Sequence, residues 1–260
     1  MSLLSSLCLP SHTLDTPGTL FVVEQVGQNI DAQFATHFLL RDFINQREQL
    51  GVVILVTTTQ SGRHWGEIGT KLGWNLGEMK KNGSLRLIDL IEQEWTTIST
   101  GDTNYPVDTC DALFDTISAS LSDVGAQKQN LIVIEDLSAL LYSDFGTEET
   151  LIRLVLKLKR LAKERNASIL TLVQSSSLSP SSADVEGARF ATLLSETLGD
   201  AGITVSPLST GASPQISGHL RVNWRRGGRS DDDKKESAWR PWVKWAQYKL
   251  DDRSVKVTFI

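Results

Sequence analysis

Asn130-Leu131-Ile132-Val133-Ile134-Glu135-Asp136-Leu137 decides how the rest of the chain is read. Four consecutive branched apolar residues have no polar face, so they form a strand buried on both sides, as in a parallel sheet. Two acids stand where that strand ends. Working outward, residues 147–166 carry a helical pattern with a basic outer face at Lys157, Lys159, Arg160, Lys163 and Arg165, and 167–173 (ASILTLV) return to a buried strand. On the other side, 110–124 read as an amphipathic helix and 84–90 (SLRLIDL) as a strand. Further upstream come a helix over 62–72 stopped near Gly73, a strand over 51–57 (GVVILVT) and a helix over 31–49 with Asp31 as N-cap. The first strand, 19–24 (TLFVVE), follows a Pro17-Gly18 turn. Strands alternating with helices at this spacing predict parallel βαβ units.

The pattern changes after the last of these strands. Residues 174–184 are Ser-rich and read as a loop, and 183–198 as a helix. From Ile203 the segments shorten to ITVSPL, 219–224, 242–250 and 255–260. Leu220, Val222 and Trp224 alternate with Arg221, Asn223 and Arg225, which predicts half-exposed strands added antiparallel at one sheet edge. The polar stretch 227–236 (GGRSDDDKKE) reads as an exposed hairpin loop. The domain plan is an N-terminal extension over 1–18 and a single domain over 19–260, with 227–241 as an exposed loop.

Composition bounds the function classes. The chain has 260 residues, 40% hydrophobic and 22% charged, enough for one globular core. Its net charge of -5 excludes a generic nucleic-acid binder, so any RNA contact must come from a local basic patch. Cys8 and Cys110 are far apart and His12, His37, His64 and His219 show no zinc spacing, which fits a reduced intracellular compartment and no metal. No apolar run reaches the roughly 18 residues of a membrane helix. The apolar start lacks the basic flank of a secretory signal, and Asn166-Ala167-Ser168 is a chance glycosylation sequon on an intracellular chain.

A phosphate-binding loop belongs between the first strand and the first helix. It needs glycines for close backbone approach, a lysine for the terminal phosphates and a hydroxyl for magnesium. That place reads Gln25-Val26-Gly27-Gln28-Asn29-Ile30-Asp31-Ala32, and the first lysine of the chain is Lys71. Asp31 at the helix start would also repel phosphate. The acids at the end of the 130–137 strand match the strand end that holds magnesium water in such ATPases. The bland alternative is that Glu135 and Asp136 cap the neighbouring turn by accepting backbone N–H groups before Ser138. The predicted fold is therefore α/β and RecA-like, of the P-loop NTPase type. It has a mostly parallel sheet flanked by helices, antiparallel C-terminal strands and no functional phosphate loop. No G-x-G-x-x-G follows a strand, and no G-x-S-x-G elbow is present.

Trp224, Trp239, Trp242 and Trp245 interleave with Arg225, Arg226, Arg229, Arg240 and Lys244. Such a set serves a protein interface, a core under a sheet edge, or RNA stacking; all three readings stay open.

Ser206-Pro207-Leu208-Ser209-Thr210-Gly211 followed by Ile216-Ser217-Gly218-His219-Leu220 resembles the P-L-x-[ST]-G…G-x-L signature of the sixth subunit of the Elongator complex. The ending 248–255 (YKLDDRSV), the strand 132–138 with its acidic pair and Lys71-Leu72-Gly73 resemble the same family, over about residues 19–260. The Trp-rich insertion at 239–245 departs from it. The resemblance implies a non-catalytic subunit with no cofactor and no nucleotide site of its own. It also implies a cytoplasmic or nuclear location, away from membranes. Its partners would be the fourth and fifth Elongator subunits in a hetero-hexameric ring, the catalytic Elongator core, and tRNA bound through the ring during wobble-uridine modification. By analogy with RecA, the loops 137–146 and 174–184 would face the pore. Arg63, Arg225 and Arg226 are candidates for RNA contacts or for reaching a neighbour's site. Two other readings are an ATPase subunit lending Glu135 and Asp136 to a shared site, and a free-standing RNA-binding module.

Overall fold

The strand read first sits inside the sheet. A computed structural model describes residues 2–9, 13–27, 30–45, 50–92, 109–124, 128–143, 145–175, 182–208, 213, 215–225, 242–251 and 254–260. Its strands are β1 (Leu20–Val26), β2 (Leu50–Thr57), β3 (Leu85–Asp89), β4 (Gln129–Ile134), β5 (Ala167–Ser175), β6 (Ala201–Ser206), β7 (Gly218–Trp224), β8 (Trp242–Asp251) and β9 (Ser254–Phe259). They form one sheet in the order β3-β2-β4-β5-β1-β6-β7-β8-β9. The first six of these are mutually parallel, and β7, β8 and β9 continue antiparallel. Every residue of β4 is buried, as its unbroken apolar run requires.

The helices are α1 (Leu3–Ser6), α2 (Gln33–Asn45), α3 (Gly62–Leu72), α4 (Leu76–Lys81), α5 (Thr109–Ser122), α6 (Leu137–Tyr142), α7 (Glu148–Glu164) and α8 (Ser182–Thr192), the last running into a π-helical turn at Leu193–Leu198. Those of the first group, α1 to α4, cover one sheet face over Phe21, Val23, Val53, Leu55 and Leu170. The second group, α5 to α8, covers the other over Leu20, Val22, Ile54, Ile132 and Ile169. The strict two-residue alternation of strand side chains divides the core this way. Local signals set the helix ends. Thr147 caps α7 and Ser61 caps α3, while Gly73 closes α3 at φ 90°, a conformation that glycine adopts without strain.

Three local expectations change. Residues 137–146 contain the helix α6, because Asp136 caps its start. Gln174 and Ser175 belong to β5, and α8 begins at Ser182, so of the 174–184 loop only 176–181 remain, outside the described residues. The stretch expected as an N-terminal extension packs onto the domain. Leu3, Leu4, Leu7, Leu9 and Leu14 are buried in the first core, and the Asp42 carboxylate of α2 accepts the Leu3 and Leu4 N–H groups. The loop 227–241 lies outside the described residues.

Candidate functional site

In a parallel sheet the chemistry lies beyond the carboxyl ends of the strands. Here those ends carry Gln25, Glu135, Asp136, Asp89 and the turn 58–61 between β2 and α3. Glu135 leaves β4 and turns under that turn. Its Oε2 accepts the N–H groups of Thr58, Thr59 and Gln60 at 2.7, 2.8 and 3.1 Å. Its Oε1 accepts the Trp65 indole N–H at 3.2 Å and the Gln33 amide at 3.5 Å. From the other side, Asp89 at the end of β3 accepts the Gly62 N–H at 2.9 Å. Two carboxylates from the strands on either side of β2 thus satisfy the donors leading into α3, and their negative charge suits its positive N-terminal end.

Asp136 does a different job. It caps α6 through Ser138 N–H at 2.9 Å and accepts the Gln174 amide at 2.5 Å. Burial pushes its carboxyl up to about 6, against those two hydrogen bonds and with the neighbouring Glu135 charge adding to the rise. The expected capping of the neighbouring turn is thus found at Asp136. Glu135 instead bonds a turn 75 residues away in sequence.

The sign of the Asp136 shift gives a measurable result. Between pH 4 and 6 the native chain holds a proton there that the unfolded chain has lost, so this group's contribution to stability falls as pH rises through that window. His37 opposes it: burial, then the nearby His64 charge, lowers its imidazole to about 4, so its contribution rises with pH. Asp136→Asn removes only the first effect. On going from pH 7 to pH 4, wild type is expected to gain on the order of 2 kcal/mol relative to Asp136→Asn in urea unfolding. A constant difference across that range would overturn the assignment.

The start of α2, where a phosphate loop would end, is occupied by the chain's own acceptors. Asp31 Oδ1 accepts the Gln33 N–H at 2.8 Å, and Gln25 Oε1 accepts the Ala32 N–H at 3.1 Å. These donors are the ones a phosphate would need. The described residues here suit a magnesium nucleotide poorly: a carboxylate stands at the helix start and both strand-end acids hold internal donors, while Lys71, which shares a groove with Asp31 and Gln33, comes from the end of α3 and not from a loop after β1. Among the described residues, no group of three or more His, Cys, Asp or Glu side chains could hold a metal ion.

The candidate arginines do not converge. Arg63 lies on α3 at the carboxyl end of the strands, 89% exposed, with a 3.2 Å ion pair to Glu67 one turn along. Arg225 lies at the opposite end, where its N–H reaches Asp200 O just before β6, and it pairs with Glu196 at 2.8 Å. Arg226 is outside the described residues, as is Trp239. Of the other tryptophans, Trp224 is core and Trp245 is exposed. The sequence reading missed Asp89, Trp65 and Gln174. Asp89 carries the same signal as Glu135, an acid closing an apolar strand; the other two carry none, because their partners are distant in sequence.

The geometry accords with known proteins. A KaiC-like protein of the hyperthermophilic archaeon Pyrococcus horikoshii superposes with a TM-score of 0.57 at 13% identity, over 93% of this chain and 90% of that one. At that identity the likeness establishes the RecA-like fold alone. No curated protein matches the chain. The sequence profile of the family described as Elongation complex protein 6 matches residues 2–252, from the docked N-terminal leucines to the hairpin joining β8 and β9. Over almost its whole length, therefore, this RecA-like chain belongs to the Elongation complex protein 6 family.

Proposed function

We propose that this chain is a non-catalytic subunit of a hetero-hexameric accessory ring formed with the fourth and fifth Elongator subunits. In that ring it supports tRNA wobble-uridine modification by the catalytic Elongator core. Its role is geometric: it completes the ring and presents its strand-end loops to tRNA. One observation carries the non-catalytic part. The strand-end acids, which in phosphoryl transfer must turn free lone pairs toward magnesium water, spend theirs on Thr58, Thr59, Gln60, Trp65, Ser138 and Gln174. The N–H groups of Ala32 and Gln33 are likewise taken.

Co-expression with the fourth and fifth subunits tests the assembly. The native mass should correspond to two copies of each subunit, and a chain that stays monomeric beside them would sink the reading. ATP turnover by the purified ring should be the same with wild type and with Asp136→Ala. A collapse of turnover would favour a shared site to which this acid contributes.

A further inference from the structure

The three most exposed large apolar residues among those described stand together. Ile260 is 73% exposed, and Val243 and Trp245 are each 51% exposed. Strand register explains the grouping. Ala246 and Tyr248 of β8 belong to the first core, as do Leu220, Val222 and Trp224 of β7. Alternation therefore turns Val243 and Trp245 to the other face, with Arg221 of β7 directly opposite Trp245. Phe259 pairs with Ala246, so Ile260, whose N–H donates to Trp245 O, falls on the face of Trp245. Over the rest of the sheet α5 to α8 cover this face, but the second core includes no residue of β7, β8 or β9. The cover ends at the π-helical turn, whose Glu196 meets Arg221 at 3.0 Å and Arg225 at 2.8 Å.

The charges beside this apolar platform do not balance. Two guanidinium groups share the single Glu196 carboxylate, which leaves one positive charge in excess. The nearby Asp200 is taken by Lys159, Lys256 pairs with Asp251 at 3.7 Å, and Lys249 has a partner of its own, so the excess belongs to the arginines. A second copy would set arginines against arginines, because a two-fold pair apposes like surfaces. A nucleic acid would gain little from Val243 and Ile260, which offer no ring for a base to stack on. Tryptophan beside arginine, flanked by aliphatic side chains, is the composition of a protein hot spot. A helix with an apolar stripe matches the spacing: its i and i+4 side chains lie about 5–6 Å apart, near the ~7 Å between alternate residues of a strand.

We propose that a helix of a partner subunit docks on this face and completes the helical layer over β7, β8 and β9. Its apolar stripe covers Val243, Trp245 and Ile260, and an acidic side chain beside the stripe answers the excess charge of Arg221 and Arg225. Apolar burial supplies affinity, and the acid fixes orientation. The proposal rests on the reading of this chain as an assembly subunit and names the surface and the partner's chemistry.

The test uses the full chain, alone and with the fourth and fifth Elongator subunits. Trp245→Ser removes an exposed ring, so the chain folds, and its affinity for the partners should fall by about thirtyfold, as for a hot-spot residue. Leu156→Ser on α7, a similarly exposed apolar position, should leave affinity unchanged. Glu196→Gln releases the two arginines, so affinity should rise at low salt and the gain should fade as salt is added. Affinity that does not rise overturns the acidic side chain. A photo-crosslinker in place of Gln247, on the same face, should capture a partner segment with apolar residues at i and i+4 and an acid beside them; a segment without that pattern overturns the helix. Thermal unfolding of each isolated variant verifies folding, and if Glu196→Gln fails there, Trp245→Ser and the captured segment decide. Wild-type affinity in folded Trp245→Ser overturns the docking while the ring reading stands. A wild-type chain that binds neither subunit sinks both. Quenching of Trp245 by single-stranded RNA but not by the subunits, or a dimer of the isolated chain that Trp245→Ser abolishes, assigns the face to another occupant and overturns the helix.

Discussion

Glu135→Ala is expected to lower the unfolding free energy by about 3–5 kcal/mol, the range for removing one partner from a buried charged network. The side chain is 1% exposed and receives three consecutive backbone N–H groups, one indole and one amide. Alanine leaves the Trp65 indole buried without a partner and releases the turn 58–60, so α3 loses the restraint at its entry. Glu135→Gln keeps one acceptor oxygen but sets an NH2 against the remaining donors, so it should cost about half as much. Urea unfolding followed by tryptophan fluorescence reads both. Trp65 lies 4.2 Å from the His37 ring, so its emission also reports the local loosening. A loss below about 0.5 kcal/mol for Glu135→Ala would mean that the carboxylate does not hold the turn. The effect should fall on stability alone: in the proposed ring, ATP turnover with folded Glu135→Ala should match wild type.

The second large effect concerns the first residues of the chain. Leu7→Ala is expected to cost about 2–4 kcal/mol, the range for a truncated core leucine that leaves a cavity. Leu7 is fully buried among residues that include Leu3, Leu4, Phe38 and Phe43. An appendage outside the core would tolerate the same change within about 0.5 kcal/mol. Chemical denaturation separates these outcomes. Asp42→Asn should reproduce part of the loss, since the Asp42 carboxylate accepts the first N–H groups of α1 and also pairs with Arg41 at 2.9 Å. The domain therefore includes its first residues as a structural layer, and α1 forms one wall of the groove beside β9.

The site was half legible in the sequence. An acidic pair closing an apolar strand is visible at 130–137, and so is a helix start with one glycine and no lysine. What the acids bond was not visible, because their partners come from β2, α3 and β5. Asp136 meets its nearer partner two residues on, through a local capping pattern, and that part of the reading holds. Glu135 meets Thr58, Thr59 and Gln60 only because β2 lies beside β4 in the sheet. Arg63 and Arg225 look alike in the sequence, yet the antiparallel turn-back of β7 carries Arg225 to the far end of the molecule.

By itself the sequence determined the buried strands, the helices α2, α3, α5 and α7, the stop at Gly73 and the antiparallel tail, while the short helices α1, α4 and α6 escaped it. All of these follow from side-chain period and backbone preference, which act over a few residues. Only the tertiary structure decided the strand order with β9 at its end, the docking of Leu3, Leu4 and Leu7, and the five donors of Glu135. Each depends on contacts between residues distant along the chain. Such contacts are selected by which faces can be buried together, and no local pattern encodes them.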